Sequence, residues 1–437
     1  MSDSAGYSGE ALRFLKKANA KVGDLLEVST GWGSVTGTVV PHYAHGDQDK
    51  IVLKLHSGYN IGLSVSGLGG AVVREAGRSP AFNPPPIPKS GKGLPRVLLL
   101  GTGGTIASRV DYRTGAVRPA VSSRDLHALV PELSEVASVE SQIVLNILSE
   151  NITPAHWTRL ANIVAVAARR GLDGVVITHG TDTLGYTAAA LSFALMGVPI
   201  PVVLVGAQRS SDRPSSDATL NLIAAVSVAA RSSFSGVYVA MHLNENDDKI
   251  AFHRGTRVRK NHTSRRDAFV SVGVPLAAIW GREGLEQVDQ GLPPRGGEGP
   301  FRPRTRFDGR TAFLKFYPSM PGRLVESAVR GAKALVLEGT GLGHVNAECV
   351  LAVRKFIRRG GLAAITSQCI NGRVNLNVYE TGRDLIEAGV IPLEDTLAET
   401  ALVKTMWALG NHRKMSLVKE AMTKNLVGEM TPRAFPE

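Results

Sequence analysis

The sequence predicts an α/β protein in which a two-domain, parallel-sheet body follows a small N-terminal β-barrel. Apolar runs such as 97–100, 174–178 and 201–205 end at Gly or Thr, and strands that are apolar throughout are typical of parallel sheets covered on both faces. Between residues 21 and 75, short β-rich runs alternate with Gly, Asp and Asn, as in small barrels. The proline-rich stretch 79–95 separates the two patterns.

The composition limits the class of protein. With 437 residues, 43% hydrophobic and 20% charged, the chain can bury a large core and is not disordered as a whole. Two cysteines, Cys349 and Cys369, exclude a disulfide framework. No signal-peptide pattern or long apolar run occurs, so we expect a cytoplasmic protein. The net charge of +12 allows a polyanionic partner without requiring one.

Six segments follow from these patterns. Residues 1–20 are an extension with a helix at 10–20, residues 21–75 are the barrel, and 76–95 are a semi-rigid linker. The barrel strands are expected at 25–28, 35–40, 51–55, 61–65 and 71–73.

In the body, an α/β domain at 96–280 is followed by an irregular crossover at 281–310 and a second α/β domain at 311–437. A helix is expected to begin after Thr153 with Pro154 at its first position. The second domain has predicted strands at 312–316, 334–337 and 363–366 and a helix at 394–409. Ligands of such sheets lie at the carboxyl ends of the strands.

The first chemically informative loop is Gly101-Thr-Gly-Gly-Thr-Ile-Ala107, directly after the first strand of the body. A dinucleotide loop is excluded because its third glycine would fall at Ile106, and no Gly-Lys-Ser/Thr of a phosphate loop follows. The loop instead presents Thr105 on a tight turn near backbone N–H donors, the arrangement that a nucleophile requires.

The second loop is Thr178-His-Gly-Thr-Asp-Thr183, after another buried strand. Thr181 and Asp182 have two interpretations. They cap the helix that begins near Leu184, or they supply a hydroxyl and a carboxylate that holds an ammonium group or orients a base.

A third segment, 252–266, is rich in Arg and Lys. It is either a solvated basic face, facing RNA, or the source of a catalytic base. Lys260 lies among Arg257, Arg259 and Arg265, and burial beside other cations disfavours an ammonium ion.

We expect no metal site in this chain. Asp247, Asp248 and His253 are interpreted as a polar loop, because the sequence has no His/Cys spacing typical of metal ligands.

The two threonine loops together closely resemble the two signatures of bacterial-type L-asparaginases, and the resemblance extends from about residue 96 to the C-terminus. It implies an asparaginase-like fold and hydrolysis of a side-chain amide. Attack on the carbonyl forms an oxyanion held by backbone N–H groups, ammonia leaves, and water releases the acyl-enzyme. It further implies that Thr105 is the nucleophile, while Thr181 and Lys260, oriented by Asp182, form a second catalytic unit.

The same resemblance assigns the substrate contacts. Ser149 would bind the α-carboxylate of the substrate, and Gly180 also belongs to the binding loop. Glu150, where many asparaginases have Gln, would change the contact with the α-amino group. Tyr112 would lie on a mobile lid, and neither a metal nor a nucleotide is needed.

About ninety-five residues precede the first threonine loop, whereas ordinary asparaginases begin close to it. The segment 46–62 resembles the N-terminal domain found in the family of archaeal glutamyl-tRNA(Gln) amidotransferase D subunits, and 258–269 and 366–374 are similar to that family as well. This resemblance implies a glutaminase that supplies ammonia to the E subunit of the amidotransferase. That partner would bind ATP, Mg²⁺ and Glu-tRNA(Gln) within a heterotetramer that contains two D subunits.

Two alternatives remain. One is a free-standing cytoplasmic asparaginase or glutaminase with an accessory barrel. The other is a non-enzymatic RNA-binding protein on a hydrolase scaffold, which only the charge favours. The presence of Thr105, Thr181, Asp182 and Lys260 argues against the second alternative.

Overall fold

The structure of the chain is a computed structural model that describes residues 6–40, 42, 47–57, 59–77, 93–104, 108–111, 116–119, 130, 132–209, 216–297 and 299–433. They belong to two compact units. The first holds the N-terminal domain and the segment 108–118, and the second holds the body. In the described part of the chain, no helix has both the length and the apolar character needed to cross a membrane.

The N-terminal unit is built on a five-stranded antiparallel sheet. Its strands are β1 (Leu25–Thr30), β2 (Gly33–Val39), β3 (Lys50–Lys54), β4 (Asn60–Ser64) and β5 (Leu68–Glu75), in the spatial order β4-β3-β2-β1-β5. The edge strands β4 and β5 are joined by residues 65–67 alone. Such a link spans at most about 14 Å, whereas the edges of a flat five-stranded sheet lie about 19 Å apart. The sheet is therefore curled into a barrel.

Helix α1 (Gly9–Lys17) packs in this unit, where Ala11 and Leu15 join Leu26, Ile51 and Leu53 in one buried cluster. The helix ends earlier than the predicted residue 20, since Asn19 adopts a positive φ of 50°. Strands β7 (Ser108–Asp111) and β8 (Ala116–Pro119) form a separate two-stranded sheet.

The first sheet of the body has eight strands. Five of them are parallel, namely β9 (Ser138–Ile143), β6 (Arg96–Gly101), β10 (Gly174–Thr178), β11 (Pro201–Val205) and β12 (Gly236–His242), given in their spatial order. The sheet continues with the antiparallel strands β13 (Lys249–Arg254), β16 (Ala278–Gly281) and β17 (Gly284–Gln287). The sheet is thus mixed, while its central strands β10 and β11 are completely buried, which explains their continuous apolar sequence.

The described residues of this first domain form four α-helices, α2 (Leu133–Val136), α3 (Pro154–Arg169), α4 (Leu184–Ala194) and α5 (Ala218–Arg231). Helix α3 begins as predicted, and the N–H of Thr153 donates a hydrogen bond to His156 Nδ1 at 3.1 Å. Helix α4 is almost entirely buried because it also packs against the second domain, where its Phe193 ring stacks on Trp407 with centroids 5.8 Å apart.

The second domain has a four-stranded parallel sheet in the order β18 (Thr311–Lys315), β19 (Ala334–Gly339), β20 (Leu362–Ser367), β21 (Ile391–Pro392). Its helices are α6 (Gly322–Ala328), α7 (Ala347–Arg358), α8 (Glu380–Ala388), α9 (Ala398–Asn411) and α10 (Met415–Thr423).

Three further predictions need correction. The irregular crossover was expected from residue 281, but Gly284–Gln287 forms a hairpin strand on β16 that extends the sheet. The helix expected from residue 394 begins at Ala398, since Glu394 has a positive φ of 54°, which no right-handed helix accommodates. His253 is not part of a polar loop, because it lies on β13 with 2% of its surface exposed.

The sheet order places the catalytic candidates. From β6 the chain first goes to β9 on one side and then to β10 on the other. Such a reversal opens a crevice at the carboxyl ends of the strands, where ligands of α/β proteins bind. The segments that leave these ends are 102–104, 144–151 and 179–183.

Candidate active site

The loop after β6 fits tightly between its neighbours. Gly103 and Gly104 have φ values of 104° and 82°, in the left-handed region that favours glycine. A Cβ atom on Gly103 would lie 2.5 Å from the carbonyl oxygen of Ile147, and one on Gly104 would lie 2.5 Å from the nitrogen of Gly180. The first signature therefore needs its glycines so that the loops after β6, β9 and β10 can touch.

Lys260 connects the second signature with the basic segment. It ends the short strand β14 (Val258–Lys260), which pairs with β15 (Phe269–Ser271). Its Nζ donates hydrogen bonds to Thr181 Oγ1 and to Asp182 Oδ1, both at 2.8 Å. Thr181 is 9% exposed and the side chain of Asp182 is 72% exposed, so the amine joins an inner hydroxyl to an outer carboxylate.

The arginines around Lys260 do not form an uncompensated cluster. Arg257 pairs with Asp395, Arg259 with Glu399, and Arg265 with Asp267 and Glu245. Because each guanidinium has its own carboxylate, the geometry does not support the interpretation that these cations tune Lys260.

A buried hydrogen-bond chain orients the second loop. The indole N–H of Trp157 donates to Thr187 Oγ1 at 3.0 Å, and Thr187 Oγ1 lies 2.9 Å from His179 Nε2. The other ring nitrogen of His179 lies 2.8 Å from the carbonyl oxygen of Gly180. A neutral imidazole protonated on Nδ1 satisfies every contact, and burial lowers the pKa of His179 to about 4, which favours this neutral form.

His179 and Thr187 were not expected from the sequence to have a role in the site. The histidine stands inside the Thr-His-Gly-Thr-Asp-Thr motif, and that position was the only available signal. Its partner Thr187 lies on α4, so the interaction could not be read from the sequence.

Three of the predicted binding residues, Ser149, Glu150 and Gly180, lie on the loops next to the contact between Lys260 and Thr181. Ser149 is buried, and its carbonyl oxygen accepts a hydrogen bond from Thr183 Oγ1 at 2.7 Å. A Cβ on Gly180 would lie 2.7 Å from Ser149 Cβ, so only glycine permits this approach. The neighbouring Glu150 is exposed. The loops after β9 and β10 are therefore in contact where the substrate contacts were predicted.

A second support was not predicted. Asp217 is fully buried and accepts hydrogen bonds from the backbone N–H groups of Gln208 and Arg209 at 2.9 and 3.0 Å. These bonds hold the start of the loop after β11, where Gly206 lies so close to Thr181 that a Cβ would be 2.7 Å from its methyl carbon.

Thr105 and Tyr112 lie outside the described residues, and their predicted roles remain predictions. Within the described ranges, no group of three or more His, Cys, Asp or Glu side chains is arranged to hold a metal ion.

Three family models match the chain. They are "Asparaginase, N-terminal" at residues 96–289, "Glutaminase/Asparaginase C-terminal domain" at 310–422 and "GatD N-terminal domain" at 20–72. The predicted fold class, an asparaginase-like body with an additional N-terminal antiparallel domain, is thereby confirmed.

Full-length relatives and solved structures agree with these matches. The chain is 45% identical to the D subunit of glutamyl-tRNA(Gln) amidotransferase from Pyrococcus furiosus, over 97% of this chain and 98% of that protein. It is 43% identical to the protein of the same name from Sulfurisphaera tokodaii, over 99% and 96%. The thermostable L-asparaginase from Thermococcus kodakarensis superimposes with a TM-score of 0.69 at 35% identity, covering 77% of this chain and all of that one.

Proposed function

Because the chain belongs to the family of glutamyl-tRNA(Gln) amidotransferase D subunits, we propose that it is the amidohydrolase component of such a complex. It hydrolyses the side-chain amide of glutamine, or of asparagine, and supplies the ammonia to a partner protein. The partner uses this ammonia to convert Glu-tRNA(Gln) to Gln-tRNA(Gln).

The observation that carries this proposal is the contact between Lys260 Nζ and Thr181 Oγ1 at 2.8 Å, with Asp182 on the other side of the amine. At this distance a proton can pass directly between the hydroxyl and the amine. The carboxylate of Asp182 then stabilises the ammonium ion that forms and holds it in place. These three residues together supply a base and a proton relay without a metal.

The nucleophile in this proposal is Thr105, which follows Gly104 in the chain. Its hydroxyl attacks the amide carbon, and the proton passes to the Thr181–Lys260 pair. The tetrahedral intermediate collapses when the leaving nitrogen takes up a proton, so ammonia departs and an ester to Thr105 remains. Water, activated by the same pair, hydrolyses that ester and releases glutamate.

The remaining predicted residues bind the substrate. Ser149 and Gly180 lie where the loops after β9 and β10 touch, a position suited to the α-carboxylate. Glu150 is exposed beside them and attracts the α-ammonium group. Tyr112 belongs to the lid in this proposal.

The partner is the E subunit of the amidotransferase, which binds ATP, Mg²⁺ and Glu-tRNA(Gln), and two copies of each protein form the complex. In this arrangement the present chain binds no cofactor of its own. The N-terminal barrel supports a role in a complex, because the matched L-asparaginase of Thermococcus kodakarensis aligns over its full length with only 77% of this chain.

Glutamine hydrolysis by the full chain, measured with and without the E subunit and Glu-tRNA(Gln), tests the proposal. We expect the E subunit and the charged tRNA to raise the rate of ammonia release and to couple it to Gln-tRNA(Gln) formation. A chain that hydrolyses asparagine or glutamine at the same rate with and without them would instead be a free-standing asparaginase or glutaminase with an accessory domain.

A further inference from the structure

The strand that carries Lys260 is anchored to the C-terminal end of the chain. Arg257, three residues before Lys260, is only 1% exposed. Its Nε donates a hydrogen bond to the carbonyl oxygen of Val272, and its Nη1 donates to those of Asp395 and Glu429, at 2.9 to 3.0 Å. Its Nη2 also donates to Asp395 Oδ2 at 3.1 Å. One buried guanidinium thus fastens the start of β14 to three separate segments.

We propose that Arg257 is a positioning residue for Lys260 and that it acts through a C-terminal latch formed by residues 425–431. The inference rests on the proposed function, since it concerns the same amine. It adds to that function a part of the chain that lies outside the asparaginase family models, which end at residue 422.

The latch is itself fixed by a buried ion pair. Lys404 on α9 pairs with Glu429 at 2.7 Å, and both side chains are completely buried. The carboxylate of Glu429 also accepts hydrogen bonds from the N–H groups of Leu426 and Val427, at 3.0 and 2.7 Å. The carbonyl oxygen of Glu429 is therefore held in place to receive Arg257.

The latch has a second attachment at its far end. Asp395 accepts hydrogen bonds from the N–H and the hydroxyl of Thr431, at 2.9 and 2.5 Å, and its Oδ2 also receives Arg257. Thr256, next to Arg257, donates to the carbonyl oxygen of Val427 at 3.3 Å, and its own carbonyl oxygen accepts a hydrogen bond from Thr400 Oγ1 at 3.0 Å. Residues 256 and 257 are therefore held by hydrogen bonds to the latch, to Asp395 and to helix α9.

These hydrogen bonds matter for the position of Lys260 because β14 is short. It has three residues, and its only strand partner in the described part of the chain is β15, which is equally short. Lys260 lies about 10 Å along the strand from Arg257. Proton transfer requires a donor–acceptor distance of about 2.6–3.2 Å, and a displacement of about 1 Å costs on the order of 100-fold in rate. A loosened anchor at residue 257 thus moves the amine out of range of Thr181.

The test is a double-mutant cycle on kcat in the assembled complex, with glutamine as substrate. We expect Arg257→Met to lower kcat by about 10- to 100-fold while KM changes by less than about threefold. If Arg257 acts through Lys260, adding Arg257→Met to Lys260→Ala lowers kcat no further than Lys260→Ala alone. If Arg257→Met does not fold, Thr431→Val takes its place in the same cycle, since this change removes one attachment of the latch.

Arg295 offers a matched control. It is a partly buried arginine that donates to the carbonyl oxygens of Ser232, Asp173 and Ala229 at 2.6 to 3.1 Å, and Asp173 precedes β10 at the edge opposite the site. Arg295→Met should destabilise the protein while changing kcat by less than about twofold.

A folded Arg257→Met variant with unchanged kcat, or one whose effect multiplies that of Lys260→Ala, overturns the positioning role. If the wild-type complex hydrolyses no glutamine, the proposed function fails and this inference with it. If the wild-type complex is active but Arg257→Met and Lys260→Ala lower kcat independently of each other, only the inference about Arg257 is overturned.

Discussion

Lys260 and Thr181 are 79 positions apart in the sequence, yet the amine of one lies 2.8 Å from the hydroxyl oxygen of the other. The contact depends on two different supports. Thr181 belongs to a loop held by the buried chain from Trp157 through His179, whereas Lys260 belongs to a strand tied to the second domain. The contact thus joins two segments that are held in place independently of each other.

Removing either group of this contact should stop the use of glutamine. We expect Thr181→Ala and Lys260→Ala, like Thr105→Ala, to lower glutamine-dependent formation of Gln-tRNA(Gln) by at least about 100-fold, the usual contribution of a positioned acid–base group. With ammonium chloride as nitrogen source, each variant complex should keep the wild-type rate. Persistent glutamine-driven activity in these variants would contradict the mechanism.

Glu150 should affect substrate binding more than chemistry. It is exposed beside the buried Ser149, so its carboxylate attracts the substrate ammonium through solvent-screened electrostatics worth up to about 1 kcal/mol. We expect Glu150→Gln to raise KM for glutamine by about two- to fivefold and to leave kcat nearly unchanged. Steady-state kinetics with glutamine and with asparagine measure both values, and a change confined to kcat would argue against this role.

The Lys404–Glu429 pair predicts a large stability effect. Burial lowers the pKa of Lys404 through desolvation, and the carboxylate of Glu429 opposes that shift. Removing only one partner leaves an uncompensated buried charge, so Glu429→Gln should reduce the free energy of unfolding by about 3–5 kcal/mol.

Urea-induced unfolding of the full chain tests this prediction. The double variant Lys404→Met/Glu429→Gln removes both charges and should recover much of the loss. If the single variant is as stable as the wild type, the pair does not hold the latch in solution.

Two buried histidines predict acid sensitivity. Desolvation lowers the pKa values of His179 and His253 to about 4, from 6.5 for the exposed ring. Between these values the unfolded chain binds more protons than the folded chain, so stability is present above pH 6.5 and is lost as the pH falls towards 4. Each histidine contributes a slope of at most about 1.4 kcal/mol per pH unit.

His253→Gln isolates one of these contributions without altering any of the proposed catalytic residues. The variant should show a shallower decline of unfolding free energy between pH 6.5 and 4 than the wild type. Equal slopes in urea unfolding series across that range would show that His253 is not buried as a neutral ring.

Much of the fold was available from the sequence because its signals are local. The strands that are buried on both faces are apolar throughout, as in 174–178 and 201–205, and proline and glycine mark the segment before residue 96. The two threonine motifs lie at strand ends, where the order of a parallel sheet brings loops together. The antiparallel strand β17 was not predicted. Its residues are almost all exposed, so they show no apolar pattern of a buried strand face.

The sequence by itself determined which residue types are present and at which strand ends they stand. It identified Thr181, Asp182 and Lys260 as candidates from motif and chemistry. A solvated basic surface, however, explained the Arg and Lys residues around Lys260 equally well. Only the tertiary structure decided which of these side chains meet, because hydrogen bonds as short as 2.8 Å depend on the packing of distant segments. The arginines near Lys260 illustrate the difference. Their spacing suggested a shared electrostatic effect, whereas folding gives each one a separate carboxylate and makes Arg257 a buried anchor.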